Sequence, residues 1–324
     1  MEVNVLKTYE ITETLWEQIT EGFNESFNLN VTSEDMKNSF CVRNNLGYGY
    51  HAIALSDDDD LMGYNVFSPV FYKNGLKTVV SGSTYVRPKY RKHEMLFMDM
   101  VQKLRKTVKE EGFKVEIGVP NHNSEKFALK ILKFKHVADL NYYILPFNLS
   151  KTLNRPSLWL CDWIVRCLAV THVTINVFYS WLINTHACTR KYELDCDSNY
   201  WDYRFGRGGY SSFKTDKYQS FWRLYNENGS KVAYLMDFRE GGVRTYRALY
   251  KAIRAIVKDG SVDAILYVGF LGFKQMMLMK VPKVFVPKRL PLTYFVLNKQ
   301  DNEMFADMQD KDNWDFSLMN FDVR

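Results

Sequence analysis

The chain has 324 residues, of which 46% are hydrophobic and 15% aromatic, and a net charge of +6. That length is comfortable for two domains, and that composition suits a well-packed globular protein. The basic excess is spread along the chain; it is compatible with an anionic ligand or a membrane surface but too weak by itself to argue for nucleic acid. Five cysteines, odd in number and without a C-x-x-C pair, read as reduced thiols rather than a disulfide frame or zinc site. The opening Met-Glu-Val-Asn lacks the basic and apolar regions of a signal peptide, so a cytoplasmic protein is expected.

In chain order, residues 3–7 predict a first strand. Thr14-Leu15-Trp16-Glu17 has the pattern of a capping box, with Leu15, Ile19, Phe23 and Phe27 continuing one helix face. A second helix is expected from Thr32 or Ser33, capped with help from Asp35. Residues 51–55 and 63–70 read as strands, and the acidic run 57–60 between them as a solvated hairpin tip. Asn74-Gly75 is a two-residue hairpin signal leading into a strand over 78–86. A basic turn follows, containing Arg87, Lys89, Arg91, Lys92 and His93. Beyond it Leu96, Met100, Leu104 and Val108 fall on one face of a long helix that Gly112 ends. Next come a strand over 114–119, an Asn/Ser turn (Asn121, His122, Asn123, Ser124), a helix to about Phe134 and a strand over 140–146.

A positive loop feeding a helix start suits an anion, because free backbone N–H groups and the helix dipole both favour negative charge there. Ser81, Ser83 and Tyr85 share one strand face, so Ser83 or Tyr85 can touch a substrate. His122, where two strands diverge, is a candidate general base near neutral pH. Each of these residues also has a plain reading, as turn, cap or surface decoration.

The run Val86-Arg87-Pro88-Lys89-Tyr90-Arg91 is similar to the V-x-P-x-Y-R strand end of the GNAT superfamily of acyl-CoA-dependent acyltransferases. Asn121 to Ser124, with Leu132-Lys133-Phe134, resembles that family's N-x-x-S and L-G-F segment. The resemblance covers most of residues 1–150. It implies an α/β fold with a mixed, mostly antiparallel sheet flanked by helices, and acyl-CoA (acetyl-CoA) as cosubstrate without a metal. It also implies a cofactor site on Val86, Arg87, Arg91, Lys92, His93, Asn121, Asn123 and Ser124, with Tyr85, His122 and Ser83 catalytic. The oxyanion would be held by backbone N–H at the strand end 85–87. Gly118-Val119-Pro120-Asn121 and the closing residues 313–322 also look like bacterial GNAT-like proteins of surface-polysaccharide gene clusters, which implies a small-molecule or sugar-linked acceptor. Three departures stand out. The family loop R/Q-x-x-G-x-G/A is here Arg91-Lys92-His93-Glu94-Met95-Leu96, with both glycines filled. Lys133 replaces a glycine, and Leu129 or Lys130 stands where many relatives carry a proton-donating tyrosine.

Residues 158–183 are strongly apolar and carry Trp159, Trp163 and Trp181. As a helix they reach about 39 Å, enough to cross a bilayer. Asp162, Arg166, Asn176 and Ser180 fall near one stripe, however, and a charged pair inside a span is expensive. Peripheral membrane contact through 158–183, a buried connection and a true span all remain open.

The second half repeats the logic of the first. Strands are expected over 221–225 and 232–238 around Asn228-Gly229. A helix with Tyr246, Leu249, Ile253 and Val257 on one face follows, then a strand over 264–268 and a late one over 292–297. Arg87 and Gly118 are 31 residues apart; Arg239 and Gly269 are 30 apart. Arg239, Arg244 and Arg247 with Gly241-Gly242 form a second possible phosphate nest. The expected architecture is therefore two GNAT-like halves, over 1–150 and 190–324, joined by a hydrophobic segment over 151–189. Acyl transfer to an amine or hydroxyl is the leading expectation. Aminoacyl transfer from tRNA, the one nucleic acid contemplated, and a non-catalytic binding or membrane-associated role are the alternatives.

Overall fold

The computed structural model describes residues 2–41, 46–93, 95–182, 190–196, 198–206, 209–271 and 277–321. In chain order the chain forms β1 (Glu2–Lys7), α1 (Glu13–Phe27), α2 (Ser33–Cys41), β2 (Tyr50–Leu55), β3 (Leu61–Phe71), β4 (Lys77–Val86), α3 (Leu96–Glu110), β5 (Val115–Gly118), α4 (His122–Lys130) and β6 (Lys135–Asp139). Then follow β7 (Asn141–Pro146), α5 (Leu149–Thr152), α6 (Trp159–Leu182), α7 (Ser198–Phe205), β8 (Ser211–Lys214), β9 (Tyr218–Glu227), β10 (Ser230–Glu240), α8 (Tyr246–Asp259), β11 (Ala264–Gly269), β12 (Met279–Lys280) and β13 (Pro291–Val296).

Two sheets result. The first has the order β1-β2-β3-β4-β5-β13-β6 and the second β12-β7-β11-β10-β9-β8. The first sheet thus takes β13 from far along the chain, whereas the second is built from the consecutive strands β7 to β12. One compact unit comprises Met1–Ala138, Leu194–Arg207 and Leu290–Lys311; the other comprises Asp139–Glu193, Gly208–Arg289 and Asp312–Arg324. A division at 150 and 190 cuts across both. The reason for β7 is local: only Leu140 separates it from β6, and one residue cannot turn a strand back beside its neighbour. β7 instead pairs antiparallel with β11, and β13 pairs antiparallel with β5.

In the first unit α3 packs Leu96, Met100, Leu104 and Val108 against Tyr50, Ala52, Met62 and Val79, the face its periodicity predicts. The other sheet face holds Ile53, Tyr64, Val66 and Tyr85 under α1. Two details differ from expectation there. The cap of α1 is Thr12, whose hydroxyl accepts from the Leu15 amide, and the buried face is Trp16, Ile19 and Thr20, with Phe27 exposed at the helix end. In the second unit Tyr246, Leu249 and Ile253 of α8 are buried as expected, but Ile256 rather than Val257 completes the face.

The apolar segment forms α6, which belongs to the second unit. It is not a buried connection. Ala169 and Val173 pack into the second core, and Asp162 accepts from the Ser150 amide at 2.8 Å and from its hydroxyl. Leu160, Trp163 and Leu168 are more than half exposed. The expected polar stripe is split: Asp162, His172 and Asn176 are partly buried on the packed side, whereas Arg166 is exposed. The side chain of Ser180 lies outside the described residues.

Lys133, the residue in place of a family glycine, has φ +61° and an exposed side chain. The turn before β6 therefore demands a left-handed residue, which costs a side chain about 1–2 kcal/mol. Lys133→Gly should raise the unfolding free energy by about 0.5–1 kcal/mol, the relief of that strain less glycine's larger entropy loss. A urea midpoint that stays put or falls would show instead that the lysine stem makes compensating contacts.

Candidate functional site: two strand forks

In the first unit β4 and β5 run parallel but pair only over Thr78–Val80 with Val115–Ile117. β4 then continues for six residues along β3 alone, while β5 stops at Gly118. This leaves a fork whose arms lead into α3 and α4, so both helix starts lie at the carboxyl ends of parallel neighbours, where open α/β sheets bind ligands.

The β4 arm is shaped by a bulge. Two of its residues, Ser83 and Thr84, stand opposite the single Asn65 of β3, and Ser83 takes φ +49°. The Thr84 hydroxyl donates to Asn65 Oδ1 at 2.8 Å, while the half-buried Ser83 hydroxyl has no partner among the described residues. Past the bulge the Arg87 amide donates to the Met62 carbonyl at 2.9 Å. Alternation along an antiparallel ladder then turns the Val86 N–H and C=O away from β3, towards the fork. Arg91 Nε lies 3.4 Å from that Val86 carbonyl. The strand-end amide available to an incoming group is therefore that of Val86; Arg87's is already spent.

The basic turn divides into two classes of side chain. Arg87 is buried, with Nε donating to Glu25 at 2.7 Å and its other nitrogens 3.5 Å from Glu21 and 3.4 Å from Asp60. Lys89 pairs with Asp60, and the Tyr90 hydroxyl donates to the same carboxylate at 2.6 Å. Asp57, Asp58 and Asp59 form the expected solvated hairpin tip, while Asp60 is engaged by the turn: Lys89 and Tyr90 hold its carboxyl below the usual range. Arg87 is a strut for the turn, a correction to its expected cofactor contact. Arg91, Lys92 and His93 are exposed at the approach to α3, and neither Arg91 nor Lys92 has an ion pair among the described residues. Met95 at the N-cap of α3 offers no side-chain cap; the Leu96 amide donates to the His93 carbonyl at 3.1 Å, and the amides of Phe97 and Met98 are left without an acceptor among the described residues. Glu94, the charge at a missing glycine, lies outside the described residues.

Tyr85 does not reach the fork. Its hydroxyl donates to the Ile19 carbonyl at 2.6 Å, and burial pushes its pKa far up. Its ring presses against Gly22 of α1, where an added Cβ would come within 2.8 Å of it. It is a core residue, and the expected catalytic contact is lost. On the β5 arm Asn121 caps α4, its Oδ1 accepting from the amides of Asn123 and Ser124 at 3.0 Å and from the Ser124 hydroxyl at 3.1 Å. Asn121 and Ser124 are thus occupied by the cap. The side chains of His122 and Asn123 are exposed and without partners among the described residues.

One residue at the base of the fork escaped the sequence reading. Glu116 of β5 is buried, and Arg105 Nε of α3 donates to it at 2.6 Å. Burial pushes its pKa up, against the pull of Arg105 and the Ser81 hydroxyl. Arg105 stacks at 3.6 Å over Phe295 of β13, so this ion pair also holds the exchanged strand. The available signal was a lone carboxylate between Val115 and Ile117, which requires a buried partner.

The second unit has the matching fork, and it is filled. β10 and β11 pair in parallel over Val232–Tyr234 with Ala264–Leu266, and β10 carries a register shift between Leu235 and Asp237. The far edge of β11 is taken by β7. On the edge facing β10, the Phe270 amide donates to Phe316 and the Leu318 amide to Val268, with Gly269 bridged to Ser317. The contact is tight: a Cβ on Gly269 would lie 2.5 Å from the Phe316 carbonyl oxygen. Beside this segment, Arg239 bonds Asp237 at 2.6 Å and Glu193 at 2.8 Å. Arg244 bonds Asp237 at 2.7 Å, the Tyr267 hydroxyl at 2.9 Å, and Asp315. The expected phosphate nest is therefore a buried ion cluster. Arg239 and Arg244 face carboxylates, and only Arg247 is exposed.

No protein-family model matches the chain, and no curated protein matches its sequence. Solved structures do. A conserved Enterococcus faecalis protein of unknown function, a probable N-acyltransferase, shares 12% identity at a TM-score of 0.57, over 93% of this chain and 74% of its own. GCN5-related N-acetyltransferases from Anabaena variabilis (8% identity, TM-score 0.54, covering 91% of this chain and 73% of that one) and Kribbella flavida (10%, 0.56, covering 91% and 72%) are also similar. At such identities the likeness establishes the fold: an α/β protein of two GNAT-like halves.

The ion cluster has a measurable signature. Burial pushes the Asp237 carboxyl up, but Arg239 and Arg244 outweigh it and hold its pKa below the ordinary 3.8. A depressed carboxyl contributes stability above its unfolded-state pKa and loses it as pH falls through the folded one. Asp237→Asn should thus cost roughly 3–5 kcal/mol at neutral pH. In denaturant titrations the gap to wild type should narrow only as the pH drops below about 4. A gap that is constant down to pH 2 would mean the carboxyl is not the titrating partner.

Proposed function

We propose that the protein is an acyltransferase that moves an acyl group from acyl-CoA to an amine or hydroxyl, and that the first unit's fork is its reaction site. The observation that carries this reading is the contrast between the forks. One has a free strand-end amide at Val86 with unpaired Arg91 and Lys92 beside an uncapped helix start; the other is occupied by its own chain. The residues suit the cosubstrate. Arg91, Lys92 and the first turn of α3 can neutralise a pyrophosphate, and the outward C=O of Val86, which accepts from Arg91 Nε, has a second lone pair for an amide N–H of the pantetheine arm.

In the reaction the acceptor's lone pair attacks the thioester carbonyl, and the CoA thiolate leaves and takes up a proton. The Val86 amide is the donor positioned for the developing oxyanion. His122, exposed on the opposite arm, is the side chain we assign to receive the acceptor's proton, and Ser83, with its free hydroxyl at the bulge, is assigned to acceptor contact. An acetyl donor and an amino-sugar acceptor from surface-polysaccharide synthesis rest on likeness alone, since nothing in the fork's geometry selects them.

Acetyl-CoA and CoA should both raise the melting temperature by a few degrees, since a ligand at a hundredfold excess over Kd adds about 2.7 kcal/mol. Adenosine alone should not. Arg91→Ala combined with Lys92→Ala should weaken CoA affinity more than tenfold by calorimetry, and Arg247→Ala should leave it unchanged. If millimolar CoA leaves the wild-type melting curve unmoved, acyl-CoA is not the donor. Transfer from aminoacyl-tRNA or a non-catalytic role then takes its place.

A further inference from the structure

Helix α6 is amphipathic in the wrong sense for a surface helix. Its packed side carries Asp162, His172 and Asn176 beside Ala169 and Val173. Its outward side carries Trp159 (66% exposed), Leu160, Trp163 (74%), Leu168, Ile175 and Phe178 (68%). Within 159–178 the only charged residue on that side is Arg166. Exposed Thr171 and Thr174 interrupt this face, but a predominantly apolar face of this extent on a folded unit marks an interaction site.

The surroundings identify the partner. α6 and α8 border one groove of about 960 Å³, floored by Val173 and Trp222 and lined on the α8 side by Lys251, Arg254 and Lys258. None of those three cations is in an ion pair among the described residues, and Asp259 is the one carboxylate lining the groove. Exposed Arg155 lies just before the start of α6. Apolar side chains edged by cations match a phospholipid surface, where acyl chains lie beneath anionic headgroups. The two exposed tryptophans suit the boundary between them.

We propose that α6, with the cationic face of α8, docks this protein on the surface of an anionic phospholipid leaflet. By length and composition α6 is also the one helix among the described residues able to cross a membrane. Crossing is opposed by its attachment: Ala169 and Val173 lie in the second unit's core, and a span would drag Lys251, Arg254 and Lys258 into hydrocarbon. The helix therefore lies in the plane of the interface, its outward side among the acyl chains.

Flotation of the full chain with vesicles tests this without reference to catalysis. The protein should rise with phosphatidylcholine vesicles containing phosphatidylglycerol, rise much less with phosphatidylcholine alone, and be released by salt. Trp163→Glu and, separately, Leu160→Glu should each reduce binding at least tenfold with an unchanged circular dichroism spectrum. Arg254→Gln and Lys258→Gln should each reduce it about fivefold, the equivalent of about 1 kcal/mol per cation at an anionic surface. The proposal is overturned if wild type stays in the dense fraction with both vesicle types. It is equally overturned if Trp163→Glu merely turns an oligomer into monomer while vesicle binding is absent, since a second copy would then be the occupant.

Discussion

Two parallel strands that pair for three residues and then separate are the constraint on which the first unit's chemistry depends. Beyond Val80 and Ile117 the β4 backbone loses its neighbour on one side, and unpaired strand groups must be met by solvent, side chains or a ligand. The bulge at Ser83 sets which groups turn outward, and Arg87 fixes where the strand ends. Its three carboxylate neighbours, Glu21, Glu25 and Asp60, come from α1 and from the β2–β3 turn. The buried arginine thus holds the turn in place while the exposed Arg91 and Lys92 remain available to an anion.

The second unit shows what happens when the same opening is closed internally. Residues 316–318 supply backbone partners to β11, and Asp315 joins Glu193 and Asp237 in neutralising Arg239 and Arg244. Removing two guanidinium groups from water is tolerable only because each meets carboxylates and further hydrogen bonds. A fork filled this way is a structural joint. The pseudo-repeat of the chain therefore duplicates the scaffold without duplicating the open site.

Strand exchange adds a further link. β13 reaches the first sheet after the second sheet's β11 and β12 have formed in sequence, and its Phe295 lies under the Arg105 guanidinium that pairs with Glu116. Thr293 also donates to the Gly118 carbonyl at 2.9 Å, at the tip of the shorter fork arm. The base of the candidate site is therefore completed by residues almost two hundred positions away in the chain.

Local periodicity made most elements legible. The stripe Leu96, Met100, Leu104, Val108, the turns at Asn74-Gly75 and Asn228-Gly229, and the strand–helix–strand spacing after Arg87 and Arg239 all report interactions within a few residues. The GNAT-like resemblance and the basic turn followed from the same short-range signals. Partnership was not legible. Whether an arginine faces a phosphate or a carboxylate depends on what the rest of the chain brings to it, so Arg87, Arg239 and Arg244 read as ligand contacts and proved to be buried struts. Tyr85 reads as a strand-face residue, and only the packing of α1 at Gly22 turns its hydroxyl inward. The destination of β7 and β13 was equally hidden, because a strand's alternation is the same whichever sheet accepts it. The sequence by itself determined the elements and their order; the tertiary structure alone decided which charges are spent, which fork is filled and which face of α6 is left to solvent, because those outcomes depend on contacts between residues far apart in the chain.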